Sequence, residues 1–547
     1  MITHKRSKSI KKEMKNNRPI PIIDLFAGPG GLGEGFSSAR DNLGNQCFKI
    51  VLSIEKDQYA HHTLELRAFF REFDEQAPEE YYSYLRGEIT RDELFERYPV
   101  QSRAASSQAW HAELGHEVFP SEAIDHRIRN SLHGAKDWVL MGGPPCQAYS
   151  VIGRARMRGA NPGKFEQDPR HFLYREYLRI LAVHRPPVFV MENVQGILST
   201  RINGNRIFTN ILTDLREPYK YFPDIMLARR KFGPRFRYRL YSLVNPLGDY
   251  SSNPSSFVIR MKDYGIPQDR NRVIILGIRE DIDVQPESLR KSDRMIPIKS
   301  VIGDLPKLRS RLSKEVDSSI IWSQVLKSMA DCPWICNAGI DNDTKSRLIL
   351  ASRRIPRTTA GGRYIGCRVQ PKYMSAWFLD ERLGGVCNHY SRAHMRTDIQ
   401  RYFFASCFAL AHKRTPLLRD FPHILLPKHK NAPEAVKNGT GLFSDRFRVQ
   451  ISNAPATTIT SHMSKDGHHF IHPDPHQCRS LTVREAARIQ TFPDNYFFEG
   501  PQCSQYQQVG NAVPPLLAKS LAEIVYRVFV GESREPVQSE LTLQYHP

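Results

Sequence analysis

Five short apolar runs punctuate the first half of the chain: PIIDLF at 21–26, KIVLSIE at 49–55, DWVLMG at 137–142, PPVFVM at 186–191 and RVIILG at 272–277. Runs this short, nearly continuous in apolar character and rich in Val and Ile, predict strands buried on both faces. Helical stretches fill the longer gaps between them. The alternation predicts an α/β fold, Rossmann-like, with a mostly parallel, doubly wound sheet. Residues 59–136 break the rhythm with the acidic and aromatic stretch REFDEQAPEEYYSYLRGEITRDELFERYP, and read as a largely helical insertion into a first domain at 20–295. After about residue 280 the alternation fades. Residues 296–478 are rich in Arg, Pro and Gly, with short runs such as TTAGGRYIG and NGTGLFSDRF, and predict a second, smaller and irregular domain. Helical spacing resumes in SLTVREAARIQ, with Ser480 placed to cap it, and in PPLLAKSLAEIVYRVF, so 479–530 is expected to return to the first domain. A basic arm at 1–19 and a tail at 531–547 complete the division.

The polar residues of the strand runs cluster at or beyond their carboxyl ends, where open parallel sheets bind ligands. IDLFAGPGGLGEG at 23–35 places Gly28, Gly30 and Gly33 in a G-x-G-x-x-G pattern, and Glu55 ends the next run, which together satisfy a dinucleotide-binding fingerprint. GGPPCQAYS at 142–150 sets Cys146 behind two prolines, in a stiff turn suited to presenting sulfur. A lone cysteine more often packs as a small hydrophobe, but a thiol on this rim is already a few per cent ionised at neutral pH and needs little activation to act as a nucleophile. Glu192 ends the fourth run, either as a ribose ligand or as an acid if burial raises its pKa. Gln268, Arg270 and Arg272 surround the start of the fifth run, where solvated arginines are the alternative to substrate contacts.

Composition adds an acidic partner to this picture. The 547 residues carry a formal net charge of +21, enough chain for two or three domains and enough charge to attract a phosphate backbone. No apolar run approaches the roughly 20 residues of a bilayer span, and the basic start MITHKRSKSIKKEMKNNRP lacks the apolar segment of a secretory signal. Nine cysteines, an odd number, argue against a disulfide framework and for a reducing cytoplasm. Cys332, Cys336, Cys367, Cys387, His389 and Cys478 match no regular zinc spacing, so no metal is expected.

Taken in order, DLFAGPGGLGEGF, SIEKD, GGPPCQAYS, MENVQGI, QDRNR, LTVREAARIQTFPD and QQVGNAVPP resemble the motif series of the DNA cytosine-5 methyltransferases. The resemblance covers most of residues 22–525, outside the insertion and most of 300–475. It implies a class I methyltransferase domain using S-adenosyl-L-methionine and a target-recognition domain at 296–478 that reads base edges in the major groove. Cys146 would add to C6 of a flipped-out cytosine, Glu192 would serve N3 as the acid, and Arg272, with Arg270 near it, would hydrogen-bond the base and orient the glutamate. Phe26 would pack on adenine, Gly28, Gly30 and Gly31 would admit the methionine part, Glu55 would take the ribose hydroxyls, and Pro145, Leu173, Asn511 and Val513 would complete the cofactor site. The acid that meets the adenine amino group falls on Glu88 or Glu113, and the motifs do not choose between them. Ser150, Arg154, Arg156 and Arg158, in and beyond the nucleophile turn, and Thr458 of APATTITSHM are the expected DNA contacts. The implied setting is a monomer acting on duplex DNA in a bacterial cytoplasm, beside the nucleoid, with a restriction endonuclease as companion. One family branch with the same catalytic set acts on transfer RNA; the large region between QDRNR and LTVREAARIQ favours DNA. A nicotinamide oxidoreductase, the other reading of the glycine turn, leaves Cys146, Glu192 and the arginines without a role.

Overall fold

The computed structural model describes residues 18–74, 76–144, 170–202, 205–222, 236–246, 253–332, 335, 339–353, 355–427 and 444–531. The five apolar runs become β1 (Ile20–Leu25), β2 (Phe48–Glu55), β4 (Val139–Gly142), β5 (Val188–Val194) and β8 (Asn271–Arg279) of one eight-stranded sheet. Three shorter strands join them: β3 (Ala109–His111), β6 (Tyr238–Tyr241) and β7 (Val258–Arg260). The order is β3-β2-β1-β4-β5-β8-β6, with β7 also on β8. Strands β1 to β5 pair in parallel, and β8 runs antiparallel to β5, β6 and β7.

Both faces of the sheet are apolar, as continuous runs require. Ile22, Met141, Val190 and Ile274 face one side; Ile23, Leu140, Phe189 and Ile275 face the other. The first side is covered by α1 (Gly31–Ser37) and by a late helix, Pro515–Val530, whose Leu517, Leu521 and Val525 are buried there. The second is covered by Ile124 and Ile128 of Ser121–Leu132, Tyr177 and Leu181 of Arg170–His184, and Ile211 of Ile207–Arg216.

Residues 59–136 are more entangled with the sheet than an insertion would be. After α2 (Gln58–Arg71), α3 (Glu79–Arg86), α4 (Arg91–Arg97) and α5 (Pro99–Gln108), the chain forms β3, which extends the sheet beside β2, and returns through α6 (Ser121–Leu132) to β4. Only α3 to α5 stand outside the strand and helix alternation. They pack, with Phe69 and Phe70 of α2, against Leu383, Cys387 and Phe497. β3 is three residues, AWH, too short to show a period in sequence.

After α7 (Arg170–His184) and α8 (Ile207–Arg216), the 296–478 region proves helical in part rather than irregular. Helices α9 (Ser319–Ala330), α10 (Asn342–Arg353) and α11 (Arg396–His412) share a core of their own, with Trp322, Leu326, Phe403, Phe404 and Cys407. FFASCFALA lies inside α11; it is buried through most of its turns, so no polar stripe marks it as a helix. A hairpin of β9 (Gly361–Gly366) and β10 (Gly385–Tyr390) faces the first domain. Next come α12 (Val483–Ile489), α13 (Gln502–Asn511) and α14 (Pro515–Val530). Ser480 does not cap α12. Thr482 does, its hydroxyl accepting the Glu485 N–H at 3.2 Å while the Glu485 carboxylate accepts the Thr482 N–H at 2.7 Å. Among the described residues no helix is long and apolar enough to cross a membrane.

Candidate active site

The turn after β1 is built by unusual backbone. Phe26, Gly28 and Gly30 have φ of 55°, 57° and 89°, in the left-handed region. Glu55, at the end of the adjacent β2, clamps the turn: one carboxylate oxygen accepts the Gly28 N–H and the other the Asp57 N–H, both at 2.8 Å. Burial pushes the Glu55 carboxyl above its usual range, opposed by those two amide donors.

The glycines divide by what surrounds them. A Cβ on Gly28 would meet nothing within 4 Å, so Gly28 faces open space. On Gly30 it would lie 2.9 Å from the Tyr496 hydroxyl, and on Gly31 only 2.2 Å from the Val513 carbonyl oxygen. Gly31 therefore makes room for the chain at Val513 rather than for a ligand directly. On Gly33 it would strike the Ile50 side chain at 2.6 Å, so the third glycine of the fingerprint lets α1 approach the sheet. An aromatic ring, an uncrowded glycine backbone and a carboxylate suit a nucleoside with a cationic tail, the cofactor that the motifs imply.

Asp24 lies on β1, one residue before Leu25, fully buried, and neither carboxylate oxygen has a hydrogen-bond partner among the described residues. Burial, reinforced by the nearby Glu55 charge, pushes its pKa well above the usual carboxylate range.

At the other half of the rim, Glu192 and Arg272 meet across the β5–β8 pairing. Ile274 pairs with Glu192 and Arg272 with Val194, so the two side chains share a face on a diagonal. Arg272 Nε donates to Glu192 Oε1 at 2.8 Å and Nη1 to the Asn271 carbonyl at 2.9 Å. Glu192 also lies against Gly143, where a Cβ would be 2.8 Å from Oε2. Asn193 ties the same segment from below, its amide donating to the Pro144 carbonyl at 3.4 Å. The carboxylate is thus fixed beside the chain that leads into Cys146. Pro145, Cys146, Ser150, Arg154, Arg156 and Arg158 themselves lie outside the described residues.

Arg270 is placed differently from the base-side role expected of it. It is fully buried, and its guanidinium donates to three main-chain carbonyls: Ile459 at 2.5 Å, and Gly510 and Ala512 at 3.1 Å each. Its two terminal nitrogens stitch loops, while Nε has no partner among the described residues. Gln268, equally buried, does the same, accepting the Ile459 N–H at 2.8 Å and donating to Gln490, which donates to the Val509 and Ala512 carbonyls. Thr458 donates to the Asp269 carbonyl at 2.6 Å. Sequence alternation in QDRNR does not separate these roles; strand direction does.

Leu173 is buried at the start of α7, within 3.9 Å of a Cβ built on Gly115. Glu113 lies two residues beyond β3 and pairs with Lys56, next to Glu55, at 2.9 Å. Glu88 pairs instead with Arg86 at 2.7 Å, beyond α3 and away from the sheet rim. Asn511 is exposed at the end of α13, and Val513 is buried against Gly31. Among the described residues no group of three or more His, Cys, Asp or Glu could hold a metal ion; His389 spends its ring nitrogens on Thr482 and the Pro306 carbonyl.

The family model for the C-5 cytosine-specific DNA methylase matches residues 119–245 and 236–527. The Type II methyltransferase M.Bpa9945I of Bacillus paralicheniformis is 30% identical, over 93% of this chain and 99% of that protein. M.DdeI of Desulfomicrobium norvegicum, also a Type II methyltransferase, is 25% identical over 92% of this chain and 87% of its own. The crystal structure of an E. coli prophage-encoded protein, provisionally assigned as a DNA modification methyltransferase, aligns over 94% of this chain and 100% of that chain, at 17% identity and a TM-score of 0.47.

Proposed function

Since the chain belongs to the C-5 cytosine-specific DNA methylase family, we propose that the rim from Phe26 to Arg272 is the site at which it methylates a cytosine flipped out of a specific duplex sequence. The protein is an S-adenosyl-L-methionine-dependent DNA cytosine-5 methyltransferase. The observation that carries the site is the Glu192–Arg272 pair, held at 2.8 Å beside the Gly143–Pro144 segment that leads to Cys146.

A stacked cytosine cannot present C6 to a thiolate, so the base must leave the duplex first, at a cost of a few kcal/mol. The Cys146 thiolate then forms a bond to C6. The displaced electron pair builds up at C5, and a proton from Glu192 at N3 stabilises the adduct; Arg272 orients that carboxyl. S-adenosyl-L-methionine supplies the electrophilic methyl group. Loss of the C5 proton to a base returns its electron pair to the ring, the S–C6 bond breaks as the Cys146 thiolate leaves, and N3 returns its proton to Glu192, with aromaticity restored. Phe26, the open backbone at Gly28, Glu55 and Leu173 hold the cofactor in this reading, with Pro145, Asn511 and Val513 at its edges, and Glu113 rather than Glu88 is the acid for the adenine amino group because it shares the rim with Glu55. Arg270 acts by positioning. The 296–478 unit reads the duplex, Thr458 marks its return to the site, and Ser150, Arg154, Arg156 and Arg158 take phosphates.

The relatives named as Type II enzymes motivate a restriction endonuclease as companion, and a monomer acting in the cytoplasm on nucleoid DNA. Expression in a host without cytosine methylation, followed by bisulfite sequencing, should reveal 5-methylcytosine at one short sequence. Cys146→Ala should leave none; full methylation by that variant would overturn the mechanism.

A further inference from the structure

Glu34 lies on α1, four residues beyond Gly30, and is buried against α2. Arg67 donates to both of its oxygens, at 2.9 and 2.5 Å, and Arg71 adds a third bond at 2.7 Å. Burial alone would raise the Glu34 carboxyl; the two guanidiniums more than offset that and hold it at about 2. Arg67 turns its remaining nitrogen to Asn495 Oδ1 at 3.1 Å. Asn495 Nδ2 in turn donates to Asp380 at 2.8 Å, and the same Asp380 oxygen accepts the Tyr82 hydroxyl at 2.7 Å. Asp380 caps the short turn that enters β10.

A second chain runs beside the first. The Tyr496 hydroxyl donates to the Pro29 carbonyl inside the glycine turn. The Tyr496 carbonyl accepts from Arg484 at 2.8 Å, and Arg484 Nε donates to the Cys387 carbonyl of β10, also at 2.8 Å. One chain therefore joins the helix after the cofactor turn to the turn that enters β10, through Asn495, and the other joins the cofactor turn to β10 itself, through the hydroxyl and the carbonyl of Tyr496. A buried ion pair is a poor device for stability alone, since apolar replacements are often neutral, whereas a satisfied polar network fixes one geometry.

We propose that Asn495 and Tyr496 are positioning residues that couple the two ligand sites, so that cofactor binding at the glycine turn and DNA binding by the 296–478 unit strengthen each other. The inference rests on reading that unit as the DNA-reading one. A turn already ordered by one ligand costs less to order for the second, and the coupling is reciprocal.

The test is to titrate the full chain with S-adenosyl-L-homocysteine, with and without saturating duplex DNA carrying the site found by bisulfite sequencing. DNA should tighten binding to the native protein at least fivefold. Asn495→Asp keeps the acceptor for Arg67 but sets a like charge against Asp380, and the DNA effect should fall below twofold. Asn495→Asp combined with Asp380→Asn rebuilds the donor–acceptor pair in reverse and should recover at least half of the native effect, which a merely structural role would not require. Tyr496→Phe removes one hydroxyl and should cut the effect at least twofold; it decides alone if Asn495→Asp does not fold. A native protein whose cofactor affinity ignores DNA, single variants that keep the native effect, or a double variant that fails to restore it would each overturn the coupling. Methyl transfer by the native protein is measured separately. Transfer without coupling counts against the coupling alone, and a native protein that methylates no DNA overturns the reading beneath it.

Discussion

Glu192 and Arg272 face each other, while Arg270, two residues away, points into the protein and makes three bonds to main-chain carbonyls. The two arginines should fail in opposite ways. Glu192→Gln should fold with an unchanged melting temperature and lose turnover by roughly 10²- to 10⁴-fold, the range for a lost general acid; equal rates in a methyl-transfer assay would refute its role. Arg270→Met should do the reverse at first order, taking the donor from the Ile459 and Gly510 carbonyls while Ala512 keeps its bond from Gln490, and costing about 2–4 kcal/mol in denaturant unfolding. Sequence made both arginines candidates because each lies near the start of the strand. Only the antiparallel register of β8 against β5 sets Arg272 diagonal to Glu192 and leaves Arg270 to the loops. Asp24 was visible in sequence as a charge in an apolar strand, but not its isolation. With its pKa raised, its ionised form destabilises the fold, a penalty absent below the ordinary carboxylate pKa of 3.8 and growing as pH rises above it. Asp24→Asn should therefore raise the melting temperature at neutral pH; a fall would show that the carboxylate has a partner in solution.

The contact of α1 with α14 is a glycine face. A Cβ on Gly35 would lie 2.4 Å from both Ala518 Cβ and the Pro515 carbonyl oxygen. Because backbone cannot yield as a flexible side chain can, Gly35→Ala should cost about 1–3 kcal/mol, read from denaturant midpoints. Gly28→Ala has open space around it and only its left-handed φ to resist, so its cost should be nearer ~1 kcal/mol. Elements with long apolar runs were legible in sequence, and the five main strands are the clearest. β3 was not, being three residues, nor was α11, whose buried turns offer no polar face. The cap of α12 was misplaced by two residues although T-x-x-E is written in the sequence, because Ser480 also fits a cap and only pairing with Glu485 decides.

At the scale of the whole molecule, the seam between the first domain and the 296–478 unit buries three neutral histidines. Burial is the main cause that pushes His389 and His472 down to about 4, opposed by Glu485, and His394 down to about 3, with His468, Arg392 and Arg479 adding to the effect. Each has a folded pKa below its unfolded value of 6.5, so its neutral form is the one the fold accepts. Their contribution is complete above pH 6.5 and is lost as pH falls toward 4. Melting temperature should be level above pH 6.5 and drop steeply below it; a flat profile to pH 4.5 would show that the seam stays closed with charged histidines. The charge and the order of motifs could be read from the chain, whereas this seam could not, because it joins residues from 304 to 494 through side chains that no period marks. The packing of Gly31 against Val513 has a consequence in time as well as in space. The glycine turn is made within the first 31 residues, yet its outer wall is synthesised some 480 residues later, so a growing chain on the ribosome holds an unfinished turn throughout most of its synthesis. A chain that stops before Val513 lacks that wall, so the turn it carries stays incomplete however long it waits.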